Sequence, residues 1–271
     1  MSLFIASLNS GSNGNCYYVG NRTDAVLIDA GISCREIEKR MKRCGLPMER
    51  VKAIFISHEH SDHIRGLEVL AKKFQLPVYT TKSTLQNSSL KIDPQLLRDF
   101  STQDTFHFGE LKVRSFPKLH DAADPCSFVV EHKEIKAGVL TDIGSVCEHV
   151  ARNFGECQAV FLEANYDEEM LAKGGYPVYL QNRIRGDKGH LSNDQSLKLF
   201  LDHRNEKLSH LILAHLSKNN NSAKLVEELF SSVAGNTFVT VASRYKESEV
   251  YHITGELASA KKPAPVQMTL F

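Results

Sequence analysis

The sequence predicts an α/β (α+β) fold in which two mixed β-sheets pack together and helices cover their outer faces. Segments typical of strands come first and are followed by strands mixed with helices, and this order occurs twice along the chain. With 271 residues, 42% of them hydrophobic, the chain is long enough for one domain with a sizeable core. We therefore expect one domain over residues 1–257 and a short tail over residues 258–271.

The first half of the chain carries mainly strand signals, with a few helix signals between them. Apolar and β-branched runs separated by turn residues predict the strands. Ser33 and Glu36 have the spacing of a capping box at the start of a helix, which Gly45 and Pro47 end. We expect strands at residues 4–8, 17–19, 25–29, 51–57 and 76–80, and helices at residues 33–44, 67–74 and 82–90.

The second half repeats this order. Four strand-like runs follow one another, and later strands alternate with helices, one of which begins with the capping-box pair Ser192 and Gln195. We expect strands at residues 105–108, 111–116, 127–130, 135–140, 159–163, 208–214 and 237–241, and helices at residues 146–154, 192–202 and 223–233.

The composition indicates where in the cell the protein acts and which partners it can contact. The net charge is +1, so any contact with nucleic acid must come from a local patch. The first residues lack the basic region and long apolar core of a signal peptide, and no apolar run approaches the ~20 residues of a membrane helix. The six cysteines are scattered and form no CxxC pair. We expect a cytoplasmic protein with reduced thiols and no membrane contact.

Three histidines and two carboxylates fall within residues 58–63, directly after a predicted buried strand. Alternation along the extended chain puts His58 and His60 on one side, and the turn into the next helix brings Asp62 and His63 beside them. Such a turn presents side chains to solvent on a rigid scaffold. Imidazole nitrogens and carboxylate oxygens suit zinc, manganese or iron. The segment therefore predicts a metal site at the surface.

Further candidate ligands lie at or just beyond predicted strand ends. They are His120, Asp142 and His215, and Asp29 also ends a predicted strand. With the ligands of residues 58–63, they suffice for two metal ions, each with about three protein ligands, a shared carboxylate and water. Open coordination positions are typical of catalytic sites. The remaining histidines lack this placement, and we interpret them as ordinary surface or core residues.

Several motifs resemble those of the metallo-β-lactamase-fold hydrolases. They are residues 27–31 (LIDAG), residues 57–63 (SHEHSDH), His120, residues 140–142 (LTD) and His215. Within this superfamily, four segments are similar to the YycJ/WalJ-like subfamily: residues 10–16, 120–125, 189–193 and 215–220. The resemblance implies a four-layer αββα sandwich with the metal ions at one edge, between the sheets.

The resemblance also implies roles for the candidate ligands. Each of two divalent metal ions would have three protein ligands of its own: His58, His60 and His120 for one, and Asp62, His63 and His215 for the other. Asp142 would bridge the two ions, and Asp29 would orient the ligand turn through hydrogen bonds. Zinc and manganese both suit this ligand set, and iron is compatible with it too.

A glutamate and a histidine indicate the reaction class. Residues 162–166 and 189–192 are similar to the segments that carry the Glu and His of tRNase Z-type phosphodiesterases. There the pair protonates or stabilises the leaving oxygen, so the resemblance implies catalytic roles for Glu163 and His190. Asp62 would orient the attacking water. The alternative is that His190 only caps the helix that begins near residue 192.

Two loops and several basic residues are candidates for contact with phosphate. Small residues in the loop at 10–15 allow backbone amides to converge on an anion, and a plain turn is the alternative. Basic residues near the predicted site could hold a polyanion or form an ordinary solvated surface; they are Lys118, Arg183, Arg185, Lys188 and Lys218. The candidate phosphate contacts are Ser10, Ser12, Asn13, Asn15, Lys218, Asn219 and Asn220.

These features favour a cytoplasmic phosphodiesterase that uses two metal ions and acts on nucleic acid, as an exonuclease in DNA replication or repair. The YycJ/WalJ-like resemblance implies DNA, and residue spacing does not. The alternative is a small-molecule metallohydrolase that acts on cyclic phosphodiesters or thioesters. A β-lactamase would need an export signal, an inactive binding module would lack ligands, and a β-CASP-type RNA-processing enzyme would need a long insertion. The sequence has no export signal, no missing ligand and no long insertion.

The end of the chain has the composition of a tether. Small residues, lysines and prolines in residues 258–266 predict a flexible linker. The last five residues, QMTLF, resemble the QLxLF-type peptide by which bacterial replication and repair proteins bind the sliding clamp, with Met268 in place of Leu. Gln267, Leu270 and Phe271 would make the contacts. The alternatives are that the apolar end folds back onto the domain or that the match is chance.

Overall fold

Two seven-stranded β-sheets lie face to face in the computed structural model, which describes residues 2–256. The first sheet contains β1 (Leu3–Asn9), β2 (Cys16–Gly20), β3 (Ala25–Ile28), β4 (Val51–Phe55), β5 (Val78–Thr80), β6 (Leu97–Asp99) and β14 (Tyr251–Ile253). The second contains β7 (Thr105–Phe108), β8 (Leu111–Pro117), β9 (Cys126–His132), β10 (Ile135–Leu140), β11 (Ala159–Glu163), β12 (His210–Ala214) and β13 (Phe238–Val241).

The two sheets share one topology. The first has the order β14-β1-β2-β3-β4-β5-β6, antiparallel from β14 to β3 and parallel from β3 to β6. The second has the order β13-β12-β11-β10-β9-β8-β7, antiparallel from β7 to β10 and parallel from β10 to β13. Parallel neighbours need long crossovers, and helices commonly supply them. The repeated order that the sequence predicts is therefore present in both sheets.

Helices cover the outer face of each sheet. The helices are α1 (Cys34–Arg43), α2 (Ser61–Ile64), α3 (Leu67–Phe74), α4 (Lys82–Gln86), α5 (Glu148–Gly155), α6 (Glu168–Lys173), α7 (Val178–Arg185), α8 (Asn193–His203) and α9 (Ala223–Ser231), with a 3₁₀ turn at Met48–Arg50. Ser33 caps α1 by accepting a hydrogen bond from the Glu36 amide. Ser192 and Gln195 form the predicted capping box of α8.

Three apolar clusters hold the layers together. One lies between the sheets and includes Phe55, Phe128 and Phe161. A second packs α1 and α3 onto the first sheet, and a third packs α5, α8 and α9 onto the second sheet. Burying apolar surface on both faces of each sheet stabilises a four-layer sandwich. The predicted fold class is confirmed.

Some elements differ from the predicted ones. Both β6 and β14 are only three residues long, so neither produces a visible alternation in the sequence. Helix α4 ends at Gln86 instead of residue 90. Helices α2, α6 and α7 were not predicted, and α7 contains no buried residue and contributes none to the apolar clusters.

The predicted tail, including Gln267, Leu270 and Phe271, lies outside the described residues. Within residues 2–256, no helix combines the length and apolar character that a membrane span requires. All six cysteines are free thiols.

Candidate metal centre

The predicted site residues gather at one edge of the sandwich, where strands of both sheets end. The first sheet contributes the residues that follow β3 and β4, and the second sheet those that end or follow β8, β10, β11 and β12. Residues beyond the carboxyl ends of neighbouring strands commonly form the binding site of an α/β protein. These residues are Asp29, His58, His60, Asp62, His63, His120, Asp142, Glu163 and His215.

Three of these residues have a left-handed backbone. The φ angles of Asp29, Asp142 and His215 are 63°, 55° and 54°. In the described chain, only six non-glycine residues have positive φ, so half of them lie in this site. This conformation costs roughly 1–3 kcal/mol per residue when a side chain is present, and it persists only where the surroundings enforce it. The fold therefore maintains local strain to aim these three side chains.

One group of side chains consists of three imidazoles. His58 Nε2 lies 3.0 Å from His60 Nδ1, and the His120 ring lies 5.0 and 5.2 Å from those two rings. One nitrogen from each falls within 4.8 Å of the others. Burial lowers the pKa of His58 well below its usual value and that of His120 to about 4. These two residues are therefore in the neutral form that binds metal ions.

A second group consists of Asp62, His63 and His215. Asp62 Oδ2 lies 3.6 Å from His63 Nε2 and 3.5 Å from His215 Nε2. Burial lowers the pKa of both histidines, but nearby carboxylates, foremost Asp142, outweigh it. They raise the pKa of His63 well above its ordinary value and that of His215 to about 10. This part of the site therefore attracts positive charge, which a divalent cation also supplies.

Asp142 lies between the two groups. Its Oδ1 is 3.8 Å from His120 Nε2 and 3.4 Å from His215 Nε2, and its Oδ2 is 3.3 Å from His63 Nε2. Burial raises its pKa, but the charges of His215 and His63 outweigh burial and hold the pKa well below its usual value. One ionised carboxylate therefore faces both groups.

Hydrogen bonds to the buried Asp29 hold the turn that carries the candidate ligands of residues 58–63. Asp29 accepts from His63 Nδ1 at 2.7 Å, from the Ser57 amide at 2.8 Å and from the Ser57 hydroxyl at 2.9 Å. The turn also needs a glycine, because a Cβ at Gly31 would lie 1.7 Å from the carbonyl oxygen of Asp62. The sequence motif at residues 27–31 indicated Asp29, but nothing in it indicated Ser57.

The hydrogen bonding of His120 shows whether a metal ion fits among the three imidazoles. Its Nδ1 donates to the carbonyl oxygen of Gly189 at 2.9 Å, which fixes the proton on Nδ1. Its Nε2 is then a lone-pair acceptor, and it is buried with no hydrogen-bond partner. A buried acceptor without a donor is costly, and a cation at the three-imidazole group would satisfy it. The residues present therefore fit a metal site.

Glu163 and His190 form a pair beside the metal ligands. His190 Nδ1 lies 2.8 Å from Glu163 Oε1, and its ring stacks on that of His215. Glu163 is fully buried, and its Oε2 accepts from the amides of Ile143 and Leu191. Burial raises the pKa of Glu163, but the charge and hydrogen bond of His190 lower it to about 2. His190 is therefore held by a charged partner and lines the cleft.

The turn at residues 58–63, which was expected to face solvent, is only partly exposed. His58 and His63 are buried, as are His120, Asp142 and His215. His60 and Asp62 are half-buried and open onto the cleft.

The candidate phosphate contacts divide by burial. Ser10, Asn15 and Asn220 are at most 2% exposed, so their side chains cannot reach a phosphate on the surface. Ser10 accepts from the His215 amide, and Asn15 contacts Asp62 and His63, so both support the site from within. The exposed candidates are Ser12, Asn13, Lys218 and Asn219.

Four of the six backbone amides in the loop at 10–15 are already engaged by the protein. The amides of Ser10, Gly11, Gly14 and Asn15 all donate to protein acceptors. These amides are therefore not free to converge on an anion. A residue that the sequence did not single out holds this loop, since Arg244 donates to the Ser12 hydroxyl and to the carbonyl oxygen of Leu216.

The basic residues that were predicted near the site do not all face the cleft. Lys118 is buried and donates to the carbonyl oxygen of Thr141 at 2.7 Å. Arg185 pairs with Glu168. Arg183 lines the cleft and pairs with Asp121 at 2.6 Å. Only Arg183 among these three is therefore placed to meet a substrate.

A cleft of about 260 Å³ opens above the ligands. His60, Asp62, Asp142, His190 and His215 line its floor, and side chains of α7 line one wall. This wall was not predicted, because no helix was expected at residues 178–185.

Comparison with known proteins assigns the family. The family model described as the beta-lactamase superfamily domain matches residues 24–215. Exodeoxyribonuclease YycJ of Bacillus anthracis is 36% identical over 238 residues, which cover 86% of this chain and 89% of that protein. This chain belongs to the metallo-β-lactamase superfamily, in its YycJ/WalJ-like branch. As a member of that superfamily, it is a metal-dependent hydrolase.

Two further comparisons agree with this family. Exodeoxyribonuclease WalJ of Streptococcus pneumoniae is 34% identical over 223 residues, covering 80% of this chain and 83% of that protein. The crystal structure of Zn²⁺-bound PqqB from Methylobacterium extorquens matches with a TM-score of 0.69 and 15% identity, covering 91% of this chain and 99% of that one. The second likeness concerns the metallo-β-lactamase fold alone.

Proposed function

We propose that this protein is a two-metal phosphodiesterase that removes nucleotides from DNA ends in the cytoplasm. The observation that carries the proposal is the position of Asp142. Its Oδ2 faces His63, and its Oδ1 faces His120 and His215, which belong to two different three-residue groups. A carboxylate shared between two such groups is the arrangement that a bridged pair of metal ions needs.

Each group would hold one ion, as the sequence resemblance implies. His58, His60 and His120 would bind the first, and Asp62, His63 and His215 the second. Two divalent ions held in this way would lower the pKa of a shared water and would stabilise both the attacking and the leaving oxygen. Zinc and manganese both suit the mixed imidazole and carboxylate ligands.

Asp62 is placed to orient the attacking water. It is half-buried and lines the cleft, so one side of its carboxylate faces the substrate. Burial raises its pKa, but the charge of His63 and the hydrogen bond of His215 lower it to about 2. The ionised carboxylate accepts a hydrogen bond from the water and directs its lone pair at phosphorus.

His190 is placed to serve the leaving oxygen. Its Nδ1 is engaged by Glu163 at 2.8 Å, so its Nε2 is the atom left for a substrate in the cleft. We assign Nε2–H the role of donating a proton or hydrogen bond to the departing oxygen, with Glu163 holding the ring in place. Such general-acid help typically contributes about 10²–10⁴ in rate.

We propose DNA as the substrate because of what the similar proteins are named to act on. The two relatives compared above, YycJ and WalJ, are exodeoxyribonucleases, and they match this chain over most of its length and theirs. The exposed residues around the cleft that suit a phosphate backbone are Ser12, Asn13, Arg183, Lys218 and Asn219.

The test is a substrate panel with defined metal content. Purified protein is stripped of metal, reloaded with zinc or manganese, and incubated with end-labelled single- and double-stranded DNA and RNA. A cyclic dinucleotide and a thioester represent the small-molecule alternative. We expect stepwise shortening of DNA with a stoichiometry of two ions per chain. Faster turnover of the cyclic dinucleotide or thioester, with intact DNA, would refute the proposal.

We further propose that residues 258–271 tether the domain to the replication machinery. Support comes from the sequence QMTLF at residues 267–271, which resembles clamp-binding peptides, and from the proposed action on DNA. Recruitment through a short peptide on a linker would raise the local concentration of the nuclease at replicating DNA.

A further inference from the structure

Helix α7 exposes apolar side chains beside the metal centre. Leu180 and Ile184 are one helical turn apart, so they lie on the same face of α7. Together with Tyr176, which precedes the helix, they line the cleft whose floor is formed by the candidate metal ligands. We call Tyr176, Leu180 and Ile184 the apolar wall.

The apolar wall does not belong to the core of the protein. None of its three residues is part of the apolar clusters that hold the described layers together. Each is only half-buried, and α7 has no fully buried residue. Apolar side chains that face a cleft without packing in the core are typical of ligand-binding walls.

A phosphate group alone does not explain such a wall. The phosphodiester is charged and hydrated, and the ligands on the floor already provide for it. An apolar wall in the same cleft therefore indicates a flat, apolar part of the substrate attached close to the scissile phosphate. On the proposed function, on which this inference rests, that part is a nucleobase.

We propose that the apolar wall holds the base of the terminal nucleotide, with Tyr176 stacking on it. Asn219 Nδ2 lies 3.3 Å from the Tyr176 hydroxyl and donates to it, and Gln181 Nε2 donates to the Tyr176 carbonyl oxygen, so the tyrosine is anchored at both ends. An anchored aromatic ring loses little conformational freedom when a base stacks on it.

The same geometry predicts how the base is recognised. The wall offers a ring face and two aliphatic side chains, which contact any base equally well. The cleft of about 260 Å³ is slightly below the usual size of a small-molecule site, which favours one nucleotide over a longer segment of the strand. Arg183 lies on the same helix, and its side chain is held by a hydrogen bond to Asp121. It is placed to contact the next phosphate along the strand. We therefore infer capture of a single unpaired terminal nucleotide with little base preference.

The first test uses the unchanged protein. Oligonucleotides that end in a natural nucleotide are compared with oligonucleotides whose terminal nucleotide is abasic, at the end from which the enzyme digests. We expect kcat/KM to fall about tenfold or more for the abasic end, and to vary less than about threefold among the four natural bases. Equal kcat/KM for natural and abasic ends would overturn the inference.

The second test uses variants. Tyr176→Ala should raise KM about tenfold for natural ends and leave the abasic end unaffected, whereas Tyr176→Phe keeps the ring, loses only the hydrogen bond from Asn219, and should raise KM less than about threefold. Leu201→Ala, which removes a 47% exposed leucine of α8, is the matched control. Metal content and thermal unfolding confirm that each variant is folded.

The outcomes separate this inference from the proposed function. Equal losses on natural and abasic ends in Tyr176→Ala would mean that Tyr176 supports the cleft without contacting a base, and the inference would fail while the nuclease stands. If the unchanged protein digests neither kind of oligonucleotide, the proposed function fails and the inference fails with it.

Discussion

His63 Nδ1 donates a hydrogen bond to Asp29 Oδ2 at 2.7 Å, and both side chains are completely buried. The bond fixes the ring so that its Nε2 faces Asp62 and Asp142. Asp29 therefore determines where a candidate metal ligand points, although it is not one of the candidate ligands itself. Such supporting carboxylates commonly orient metal-binding histidines.

Asp29→Asn tests this support. Asparagine tolerates the left-handed backbone at this position, where φ is 63°, but it is a weaker acceptor for His63 and Ser57. We expect metal affinity to fall about 10- to 100-fold, measured by competition with a chelator. Asp202→Asn, at a half-exposed carboxylate on α8, is the control. Unchanged affinity in Asp29→Asn would show that the hydrogen bond is not needed to position His63.

Asp62→Ala tests the two-metal mechanism. The variant removes a candidate ligand of the second ion and the carboxylate that orients water. We expect hydrolysis to fall by orders of magnitude while circular dichroism and the melting profile stay native-like, because Asp62 lies in a turn at the cleft and outside the apolar clusters. Metal analysis should show loss of one ion. A folded variant with full activity would eliminate the mechanism.

His190→Ala tests the leaving-group role. DNA cleavage should slow by about 10²–10⁴, and metal content should not change. An aryl phosphodiester has a good leaving group that needs little protonation, so its hydrolysis should suffer much less. Equal losses on both substrates would assign His190 a structural role.

His210 gives a prediction on stability and pH. It is 5% exposed on β12, and its ring lies 5.6 Å from Phe238 and 5.8 Å from Tyr251. Burial lowers its pKa from 6.5 to about 4. Since the folded state favours the neutral ring, this contribution is fully present above pH 6.5 and is lost as the pH falls towards 4. At about 1.4 kcal/mol per pKa unit, the loss is about 3 kcal/mol.

His210→Phe should remove that dependence. Urea unfolding at pH 7.5 and pH 4.5 measures the free energy of unfolding of the variant and the unchanged protein. We expect the variant to gain about 2–3 kcal/mol relative to the unchanged protein between the two pH values. His107→Phe, at an exposed histidine of β7, should show no such gain. A pH-independent difference for His210→Phe would contradict the assignment.

The tail can be tested apart from the domain. A peptide of residues 258–271 is titrated against the sliding clamp of the same organism. We expect saturable binding that disappears when Leu270 and Phe271 are both changed to Ala, since these two side chains supply the apolar anchors. No binding at ~100 μM peptide, or binding that survives both substitutions, would remove the clamp hypothesis.

The strands and the strand-end residues were predictable from sequence because their signals are local. Runs such as residues 51–57 contain the apolar pattern of a buried strand, and chemistry-bearing residues directly follow it. Other features depend on distant contacts. Asn15 and Asn220 are buried by segments far away in the chain, and α7 lies beside the cleft without packing into the core. Nothing in the sequence around Asp142 or His215 indicates a left-handed backbone either.

The division of the ligands between the two sheets has a consequence for folding. Residues that follow strands of the first sheet supply Asp29 and the ligands of residues 58–63, whereas His120, Asp142 and His215 follow strands of the second sheet. When only one sheet has formed, the chain lacks part of the ligand set of each ion. Neither ion can then be bound by all its ligands together with Asp142. Ions that bind only the native state lower its free energy and leave the partly folded chain unaffected. Metal supply should therefore raise the free energy of unfolding and sharpen the unfolding transition.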